Sequence, residues 1–525
     1  MKFFLILLFL IFSFHFFKKF LFYLYFWQKK EYKLKRVLSA LEEDFKVFFP
    51  KSSFFSFLIL IFGGIISFFS KTFFFYLVFF YFFYLFLKAI FEKKKFPQFT
   101  KKAIFIFFVF LFLYFLLIKN NFSYERLPFF CLILDFILPL FLFLFFPLFQ
   151  IPTYLYQEYL LKKVFLKRKK MKDLVVIAIT GSYGKTSTKD FLYILLSQKF
   201  KNEVVKTKKN ENTEIAVAKR FLQNVTPKTK FFVAEIGAYQ RGEIKKVTQA
   251  LKPQIAILTG ISFQHLSLFG SQKNIILAKS EIFSNLHKDG FAILNGESKK
   301  VLEIVKRVPQ KKIICGFNEK FDFFAKNIKE EIEFLEFDVF WQKKEKEKIK
   351  LFLQGKHQIE NFLLAGACAK ILGLSLKEIK KFAQKIRPSV NSLRLKKGKN
   401  NIFLLEDLGN ITPEGILSAI EFSKKFPGKK IILFSCLIEL GKMSTLFHKK
   451  LGEKIGEVFD LCIVLTPYFF EEVKLGALQK GMPKENIFQE NDPQKIQKII
   501  EPYFKKGNLF LLEGKIKKEI LNLFY

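Results

Sequence analysis

A nine-residue segment of small, hydroxyl-bearing and basic residues, Thr180–Thr188, carries the clearest chemical signal of this chain. It reads TGSYGKTST and follows an apolar run, Leu174–Ile179, of the kind that forms a buried strand. The residues after it, Lys189–Leu196, continue as a helix. Glycines let such a turn close around an anion, while backbone N–H groups and the helix N-terminus point at it. The segment therefore predicts a phosphate site.

The side chains of this loop suit ATP and Mg²⁺. Lys185 neutralises phosphate oxygens, and the Thr186 hydroxyl is a ligand for Mg²⁺. The other expected contacts come from Gly181, Ser182, Gly184 and Ser187. The loop is shorter than the common P-loop, because Ile179 stands where that pattern has its first glycine. A tight strand-to-helix turn without a ligand is therefore the alternative.

The first part of the 525-residue chain has the composition of a membrane module. Lys18 and Lys19 interrupt its first apolar run, Phe3–Trp27, and no cleavage site follows, so we expect this run to stay attached as a possible fifth span. Four further runs are long or nearly long enough to cross a bilayer: Ser53–Ser70, Thr72–Leu87, Ala103–Ile118 and Leu127–Phe149.

Basic residues set the expected orientation. The segments 28–51, 92–102 and 162–170 are rich in Lys and Arg, whereas the alternate loops hold only Lys71, Lys119 and Arg126. Positively charged loops stay in the cytoplasm, so we expect a multi-pass protein of the cytoplasmic membrane with its soluble part in the cytoplasm. The net charge of +41 comes without a nucleic-acid-binding motif. Membrane lipid is the expected partner, and nucleic acid is not.

Asp135 lies inside the last apolar run, close to Pro139. An ionisable residue at membrane depth is a candidate functional residue, and pairing with a neighbouring helix is the alternative. The five cysteines are widely scattered without paired spacing, so the sequence supports neither a zinc site nor a disulfide framework, and we expect ordinary reduced cysteines.

Beyond the basic segment, strand-like runs alternate with helix-like segments, which predicts parallel sheets covered by helices. The runs are Val175–Ile179, Phe231–Ile236, Ile255–Leu258 and Phe291–Leu294, and then Ile402–Leu405, Lys430–Ser435, Leu461–Leu465 and Leu509–Leu512. We expect a helical transmembrane module over 1–165, a central parallel-sheet P-loop ATPase domain over 166–390 and a Rossmann-like α/β domain over 391–525.

Two residues that follow strand-like runs are candidate metal ligands. Glu235 ends the run that begins at Phe231, and His265 follows the run that ends at Leu258. The carboxyl ends of parallel strands meet at one edge of a sheet, so we expect both residues near the phosphate loop. The alternatives are a helix cap for Glu235 and a purely structural histidine.

Together these segments resemble the Mur ligases over about residues 170–525. The resemblance rests on the order and approximate spacing of Thr180–Thr188, Asn210–Asn212, Glu235–Gly237, His265, Ala278–Glu281, Gly355–His357 with Asn361, and Arg394 followed by Asp407. Within that family, the subgroup that adds D-alanyl-D-alanine is the most similar, because Ile438–Gly441 is followed by His448 and Gly452.

The resemblance implies an ATP-dependent carbon–nitrogen ligase of peptidoglycan precursor synthesis that works through an acyl phosphate. It implies that Lys185, Lys279 and His265 are catalytic. It also implies Mg²⁺ ligands at Thr186, Glu235, His265 and, when carbamylated, Lys279. Nucleotide contacts follow for Asn361 near the adenine and for Arg394 and Asp407. Without the resemblance, Lys279 reads as a surface lysine on a helix.

Three departures from the family pattern keep several functions open. Gln358 replaces the usual Asn after His357, no tyrosine precedes Asn410, and the membrane module stands where relatives have a soluble sugar-nucleotide domain. One candidate function is addition of a D-Ala-D-Ala-like dipeptide to a UDP-linked or lipid-linked muramoyl peptide. The others are a membrane-bound poly-γ-glutamate-type ligase and a non-catalytic scaffold that recruits cell-wall synthesis proteins.

Overall fold

A computed structural model describes residues 2–43, 51–91, 96–119, 123, 125–388, 393–409 and 411–525. They divide into two compact units, Met1–Tyr156 and Gln157–Tyr525. Parts of two predicted cytoplasmic loops, 44–50 and 92–95, lie outside the described residues, as does Asn410.

The first unit is helical and mostly apolar. Its helices are α1 (Lys2–Lys29), α2 (Leu34–Glu43), α3 (Lys51–Phe69), α4 (Lys71–Phe91), α5 (Lys101–Lys119) and α6 (Arg126–Phe145), with a 3-10 turn at Phe146–Phe149. The next helix, α7 (Gln150–Lys169), begins in this unit and ends in the second. Within the described ranges, four helical stretches are long and apolar enough to cross a membrane: Lys2–Lys29, Lys71–Phe91, Lys101–Lys119 and Arg126–Lys169. The predicted span at Ser53–Ser70 is a shorter apolar helix, whereas the possible fifth span at the N-terminus has the required length.

Aromatic rings fill the interior of this unit. Phe12, Phe20 and Trp27 of α1 are fully buried, and the Phe20 ring stacks on Phe110 with centroids 3.8 Å apart. Phe68 instead leaves 86% of its surface exposed. Phenylalanine thus covers both the inside and the outside of the unit, as expected for helices in contact with an apolar solvent.

Asp135 of α6 lies at the centre of a buried polar cluster. Its Oδ1 accepts a hydrogen bond from Lys19 Nζ at 2.6 Å and lies 3.2 Å from His15 Nε2, both on α1. Its Oδ2 accepts from the Ser56 hydroxyl of α3 at 2.7 Å, and Ser56 is 3.0 Å from the Tyr81 hydroxyl of α4. Four helices therefore meet through one carboxylate. The alternative that Asp135 pairs with a neighbouring helix is the one observed.

Breaking this cluster on one side should destabilise the first unit. Asp135→Leu leaves the Lys19 ammonium buried without its carboxylate, and such a loss costs about 3–5 kcal/mol. The Lys19→Met/Asp135→Leu double variant removes both charges and should recover most of that stability. Denaturant unfolding of the full chain in detergent measures both, with Phe68→Ala as an exposed control. A double variant no more stable than Asp135→Leu would contradict this role.

The second unit holds two sheets. The first contains β1 (Val175–Thr180), β2 (Val204–Lys206), β3 (Phe231–Glu235), β4 (Ile255–Leu258), β5 (Phe291–Asn295), β6 (Lys311–Gly316), β7 (Phe323–Glu330), β8 (Leu335–Trp341) and β9 (Glu345–Leu351). Its helices are α8 (Lys185–Phe200), α9 (Glu214–Asn224), α10 (Glu243–Leu251), α11 (Leu266–Phe269), α12 (Gln272–Ser280), α13 (Lys299–Val305), α14 (His357–Ile371) and α15 (Leu376–Ala383).

The strand order of the first sheet is β2-β3-β1-β4-β5-β6-β7-β8-β9. Neighbours from β2 to β7 are parallel, whereas β7, β8 and β9 pair antiparallel. The predicted parallel sheet is therefore present, and the antiparallel edge makes the whole sheet mixed. Alternate residues of β1 enter different cores, Ile177 and Ile179 on one face and Val176 and Ala178 on the other.

The second sheet has the order β10-β11-β15-β12-β13-β14, with only the β10–β11 pair antiparallel. Its strands are β10 (Arg394–Lys397), β11 (Phe403–Asp407), β12 (Lys430–Phe434), β13 (Leu461–Val464), β14 (Ile487–Gln489) and β15 (Leu509–Glu513). Its helices are α16 (Pro413–Ser423), α17 (Ser444–Val458), α18 (Phe470–Gln479), α19 (Pro493–Ile500) and α20 (Lys518–Leu521).

The first sheet brings three strand ends together. In the register of the sheet, Ile179 of β1 lies beside Glu235 of β3, and Thr180 lies beside Leu258 of β4. The loops after these strands start from one edge, as expected for parallel strands. This edge carries the phosphate loop, Glu235 and the segment that leads to His265.

Candidate nucleotide and metal site

Two glycines shape the loop between β1 and α8. Gly181 has φ +154° and Gly184 has φ +76°, values that residues with a Cβ rarely adopt. A Cβ on Gly181 would lie 2.0 Å from Thr259 Oγ1, and one on Gly184 would lie 2.3 Å from Asn361 Oδ1. In the described part of the chain, no side chain caps α8, which begins at Lys185 directly after this turn. The first N–H groups of α8 therefore open towards the loop.

Lys185 folds back across the loop. Its Nζ donates hydrogen bonds to the carbonyl oxygens of Gly181 at 2.7 Å and Ser182 at 3.1 Å. Burial lowers the pKa of the Lys185 ammonium, and the charge of Glu235 opposes that shift. A cation thus stands over the turn, bonded to neutral carbonyl groups.

Glu235 is buried at the end of β3 and is surrounded by donors. The Thr186 hydroxyl donates to its carboxylate at 3.0 Å, Lys189 Nζ donates to Oε2 at 3.0 Å, and Asn212 Nδ2 donates to Oε1 at 3.2 Å. Burial favours the neutral acid, but Lys189 and Lys185 hold the pKa of Glu235 below its ordinary value. The group is therefore a carboxylate, the oxygen ligand that Mg²⁺ prefers.

His265 lies just before α11 with a left-handed backbone, φ +62°. Its Nδ1 is 2.5 Å from Glu439 Oε2, and its ring meets the Tyr239 ring edge-on with centroids 4.9 Å apart. Burial lowers the pKa of the imidazole, while the Glu439 carboxylate acts against that shift. Because Nδ1 contacts Glu439, the second ring nitrogen, Nε2, can bind another partner.

Lys279 is a buried residue of α12 rather than a surface lysine. Its Nζ donates to the Ala238 carbonyl oxygen at 3.4 Å and lies 5.9 Å from the centre of the Phe269 ring. Burial and the nearby Lys185 charge lower the pKa of this amine to about 7, against the pull of Glu243 and Glu281. A large fraction of the amine is therefore neutral and nucleophilic near neutral pH.

A cavity of about 530 Å³ opens at this edge of the first sheet. Segments after β11 also reach it, through Gly409 and Thr412. Its walls include most of the predicted site residues: Gly181, Ser182, Gly184, Lys185, Thr186, Ser187, Glu235, His265 and Lys279.

The remaining predicted residues lie outside the cavity wall of the described chain. Asn361 of α14 lies beside Gly184, and its Nδ2 donates to Gln358 Oε1 at 3.2 Å. Arg394 is 3.7 Å from Glu406. Asp407 ends β11, where burial raises the pKa of its carboxyl to about 6.

Sequence reasoning missed Lys189 and Tyr239. Lys189 follows Lys185 by one helical turn and therefore shares its face of α8. That spacing was a usable signal for the ion pair with Glu235. Nothing local marks Tyr239 as a neighbour of His265.

The residues present fit a magnesium nucleotide through oxygen donors and cations. Glu235 and Thr186 supply a carboxylate and a hydroxyl 3.0 Å apart, and the buried Ser182 hydroxyl has no hydrogen-bond partner among the described residues. In the part of the chain that the structure describes, no group of three or more His, Cys, Asp or Glu side chains could hold a metal ion. Phosphate oxygens and water would complete the shell, as is common for Mg²⁺.

Similar proteins agree with this geometry. Residues 179–369 match the Mur ligase middle domain. The chain is 31% identical over 284 residues to the UDP-N-acetylmuramoyl-tripeptide--D-alanyl-D-alanine ligase of Haemophilus influenzae, covering 54% of this chain and 61% of the relative. It is 30% identical over 280 residues to the Escherichia coli protein of the same name, with 53% and 61% covered. The chain thus spans about three fifths of these relatives.

Solved structures show the same relationship. MurF from Acinetobacter baumannii superposes with a TM-score of 0.63 at 25% identity and covers 70% of this chain and 79% of that chain. The fold is shared with the MurF ligase from Thermotoga maritima in complex with ADP, with a TM-score of 0.60, 24% identity and coverage of 70% and 83%. Residues 179–369 of this chain match the Mur ligase middle domain, and the predicted resemblance to the Mur ligases, with D-alanyl-D-alanine ligases among the similar proteins, is confirmed.

Proposed function

We propose that this chain is an ATP-dependent carbon–nitrogen ligase of peptidoglycan precursor synthesis. It adds D-Ala-D-Ala or a similar amino component to a muramoyl peptide. One observation carries this proposal: a single cavity in a Mur ligase middle domain gathers Lys185, Thr186, Glu235, His265 and Lys279. The names of the relatives supply the substrate class.

ATP and Mg²⁺ are the proposed cofactors. Backbone N–H groups of Gly181–Ser187 and the Lys185 ammonium bind the phosphates, as at other loops that precede a helix N-terminus. Thr186, Glu235 and His265 hold Mg²⁺, together with Lys279 once its amine is carbamylated. When bound, the metal offsets negative charge on the phosphoryl group and on the substrate carboxylate.

The proposed reaction has two steps. A carboxylate oxygen of the peptide attacks the γ-phosphorus, and the bond from this phosphorus to its bridging oxygen breaks. ADP departs as the leaving group, and the peptide carboxylate is now an acyl phosphate. The incoming amine then attacks the acyl carbon, loses a proton and expels inorganic phosphate. Lys185 stabilises the charge of the moving phosphoryl group.

The second sheet supplies the remaining nucleotide contacts in this proposal. Arg394 and Asp407 reach the nucleotide from that side, whereas Asn361 of α14, which belongs with the first sheet, binds near the adenine. Support comes from Gly409 and Thr412, which follow Asp407 and already line the cavity. In this proposal, residues 166–390 form a P-loop ATPase domain and residues 391–525 form a Rossmann-like domain. A membrane module over residues 1–165 precedes them.

We further propose that the first unit is a multi-pass module of the cytoplasmic membrane. Four helical stretches have suitable length and composition, and the segments 28–51, 92–102 and 162–170 are basic. Anionic lipid is the partner of those segments, and the ligase part works in the cytoplasm. Nucleic acid is not a partner in this proposal.

Replacing Lys185 by alanine should abolish turnover while the protein stays folded. Loss of one preorganised charge at a developing phosphoryl charge reduces the rate by about 100-fold or more. Release of inorganic phosphate in the presence of ATP, Mg²⁺ and both substrates measures the effect. Lys172→Ala, at an exposed lysine before β1, is the matched control. Substantial remaining turnover in Lys185→Ala would refute the assigned role.

The choice of amino component separates the candidate functions. The full chain should join UDP-muramoyl tripeptide to D-Ala-D-Ala, seen by mass spectrometry as the amide product. A lipid-linked precursor in vesicles is tested in parallel and identifies the carrier. Product with glutamate alone would favour the poly-γ-glutamate-type ligase. Absence of phosphate release with every substrate would favour the scaffold.

Lys279→Met should stabilise the protein and abolish product formation. In the folded chain the pKa of this amine is about 7, against an ordinary value of 10.5. The unfolded chain binds the extra proton between these values, so the wild type gains stability as pH rises from about 7 to about 10 and carries the full penalty below 7.

The free energy of unfolding of Lys279→Met should therefore exceed that of the wild type most below about pH 7, and the difference should disappear towards about pH 10. Thermal unfolding across this range measures it, with Lys273→Met at an exposed position of α12 as the control. A variant less stable than the wild type at about pH 6 would contradict the cost of burying this charge.

A further inference from the structure

The contact between His265 and Glu439 joins the two sheets of the second unit. His265 stands before α11 beside the first sheet, and Glu439 lies in the loop after β12 of the second sheet. Nδ1 of His265 and Oε2 of Glu439 are 2.5 Å apart, and the Ser267 N–H donates to the Glu439 carbonyl oxygen at 3.2 Å. A side-chain bond and a main-chain bond therefore fix the same two segments against each other.

Both residues of this contact have a left-handed backbone. The φ angle is +62° at His265 and +68° at Glu439. Residues with a Cβ rarely adopt such angles and keep them only where the surroundings impose them. This pair of unusual conformations brings the imidazole and the carboxylate together.

His448 of α17 builds the loop that carries Glu439. Its Nε2 accepts a hydrogen bond from the Leu437 N–H at 3.1 Å, and its Nδ1 donates to the Ser444 carbonyl oxygen at 2.7 Å. The ring is fully buried and stacks on Phe469 with centroids 4.4 Å apart. Because Nε2 accepts and Nδ1 donates, the network assigns the neutral Nδ1–H form to this ring.

Two glycines complete the same construction. Gly441 has φ +55°, and a Cβ there would lie 3.4 Å from the Ser267 backbone nitrogen. Gly452 lets α17 approach α18, since a Cβ there would lie 2.0 Å from the Val473 carbonyl oxygen. One local structure therefore places a carboxylate beside His265, and it is formed by Glu439, Gly441, His448 and Gly452.

The carboxylate decides what the imidazole can do. The Glu439 carboxylate accepts a hydrogen bond from Nδ1–H, so the lone pair of His265 lies on Nε2, and His265 lines the cavity that holds Glu235 and Thr186. A carboxylate behind a metal-binding histidine fixes its tautomer and orientation and makes it a better ligand. The proposed cation site therefore depends on a residue from the second sheet.

We propose that Glu439 is a positioning residue that orients His265 for cation binding when the two sheets are packed together. The inference rests on the proposed function for the identity of the cation. This role of Glu439 couples closure of the two domains to completion of the cation site, because separating the two sheets removes Glu439 from His265. Metal binding and closure then stabilise each other.

Mn²⁺ binding to the full chain in nanodiscs with ADP present tests this coupling, with free Mn²⁺ followed by electron paramagnetic resonance. Glu439→Gln and Glu439→Ala should weaken Mn²⁺ binding by about tenfold or more, as expected for loss of a second partner of a metal-binding histidine. Ile438→Ala, at a 58% exposed neighbour in the same loop, should bind like the wild type. Wild-type affinity in Glu439→Gln, or no Mn²⁺ binding by the wild type, overturns the inference.

Nitrogen NMR of the histidines gives a second measurement that does not require activity. The chain has five histidines, so ¹⁵N-histidine labelling yields few signals. His265 should be the Nδ1–H form in the wild type and change its tautomer balance in Glu439→Ala. A variant with a lower melting temperature but unchanged tautomer and Mn²⁺ affinity shows a merely structural role and overturns the inference.

These outcomes separate the inference from the proposed function. If the full chain forms no amide product but both Glu439 variants lose Mn²⁺ affinity, the inference is supported and the ligase proposal is contradicted. If product forms and Mn²⁺ affinity is unchanged, only the role of Glu439 is contradicted.

Discussion

The charge balance around Glu235 is the constraint on which the site depends. This buried carboxylate at the end of β3 binds Lys189 and the Thr186 hydroxyl directly. Lys185, one helical turn before Lys189, instead donates to two carbonyl oxygens, and among the described residues it forms no ion pair. An ammonium bonded to neutral oxygens beside a satisfied carboxylate suits a polyanion, because the anion supplies the charge that the protein lacks.

This arrangement requires a rigid scaffold. The register that sets Ile179 beside Glu235 fixes the distance between the phosphate loop and the carboxylate through main-chain hydrogen bonds. Apolar residues from both faces of β1 enter separate cores, so the strand cannot shift without exposing one of them. The site is therefore as well ordered as the sheet that carries it.

Local patterns in the sequence predicted the phosphate loop and the central strands of both sheets, but not the outer strands β2, β6, β10 and β14, because hydrophobic runs and glycine positions are properties of neighbouring residues. The antiparallel edge was not predicted. β9 reads EKEKIKL, and its lysines and glutamates hide the alternation that packs Ile349 and Leu351 into the core. The pairing of His265 with Glu439 joins residues 174 positions apart, which no local pattern contains.

The apolar helices of the first unit give a second example of a contact that no local pattern contains. Lys19 and Asp135 each read as an anomaly within an apolar run, the first as an interruption and the second as a possible functional residue. They are 116 positions apart and lie 2.6 Å from each other, so each explains the presence of the other. A single charge in an apolar helix is therefore best interpreted together with charges of opposite sign in the other helices.

The close approach of Gly184 to Asn361 has a consequence for ligand choice. A Cβ on Gly184 would lie 2.3 Å from Asn361 Oδ1, so the phosphate turn and the N-terminal part of α14 pack closely against each other. In the proposed function one of them holds the phosphates and the other lies near the base. In that proposal, the close packing of the two elements sets the distance between the phosphate contacts and the base contacts, and it favours a nucleotide whose length matches that distance.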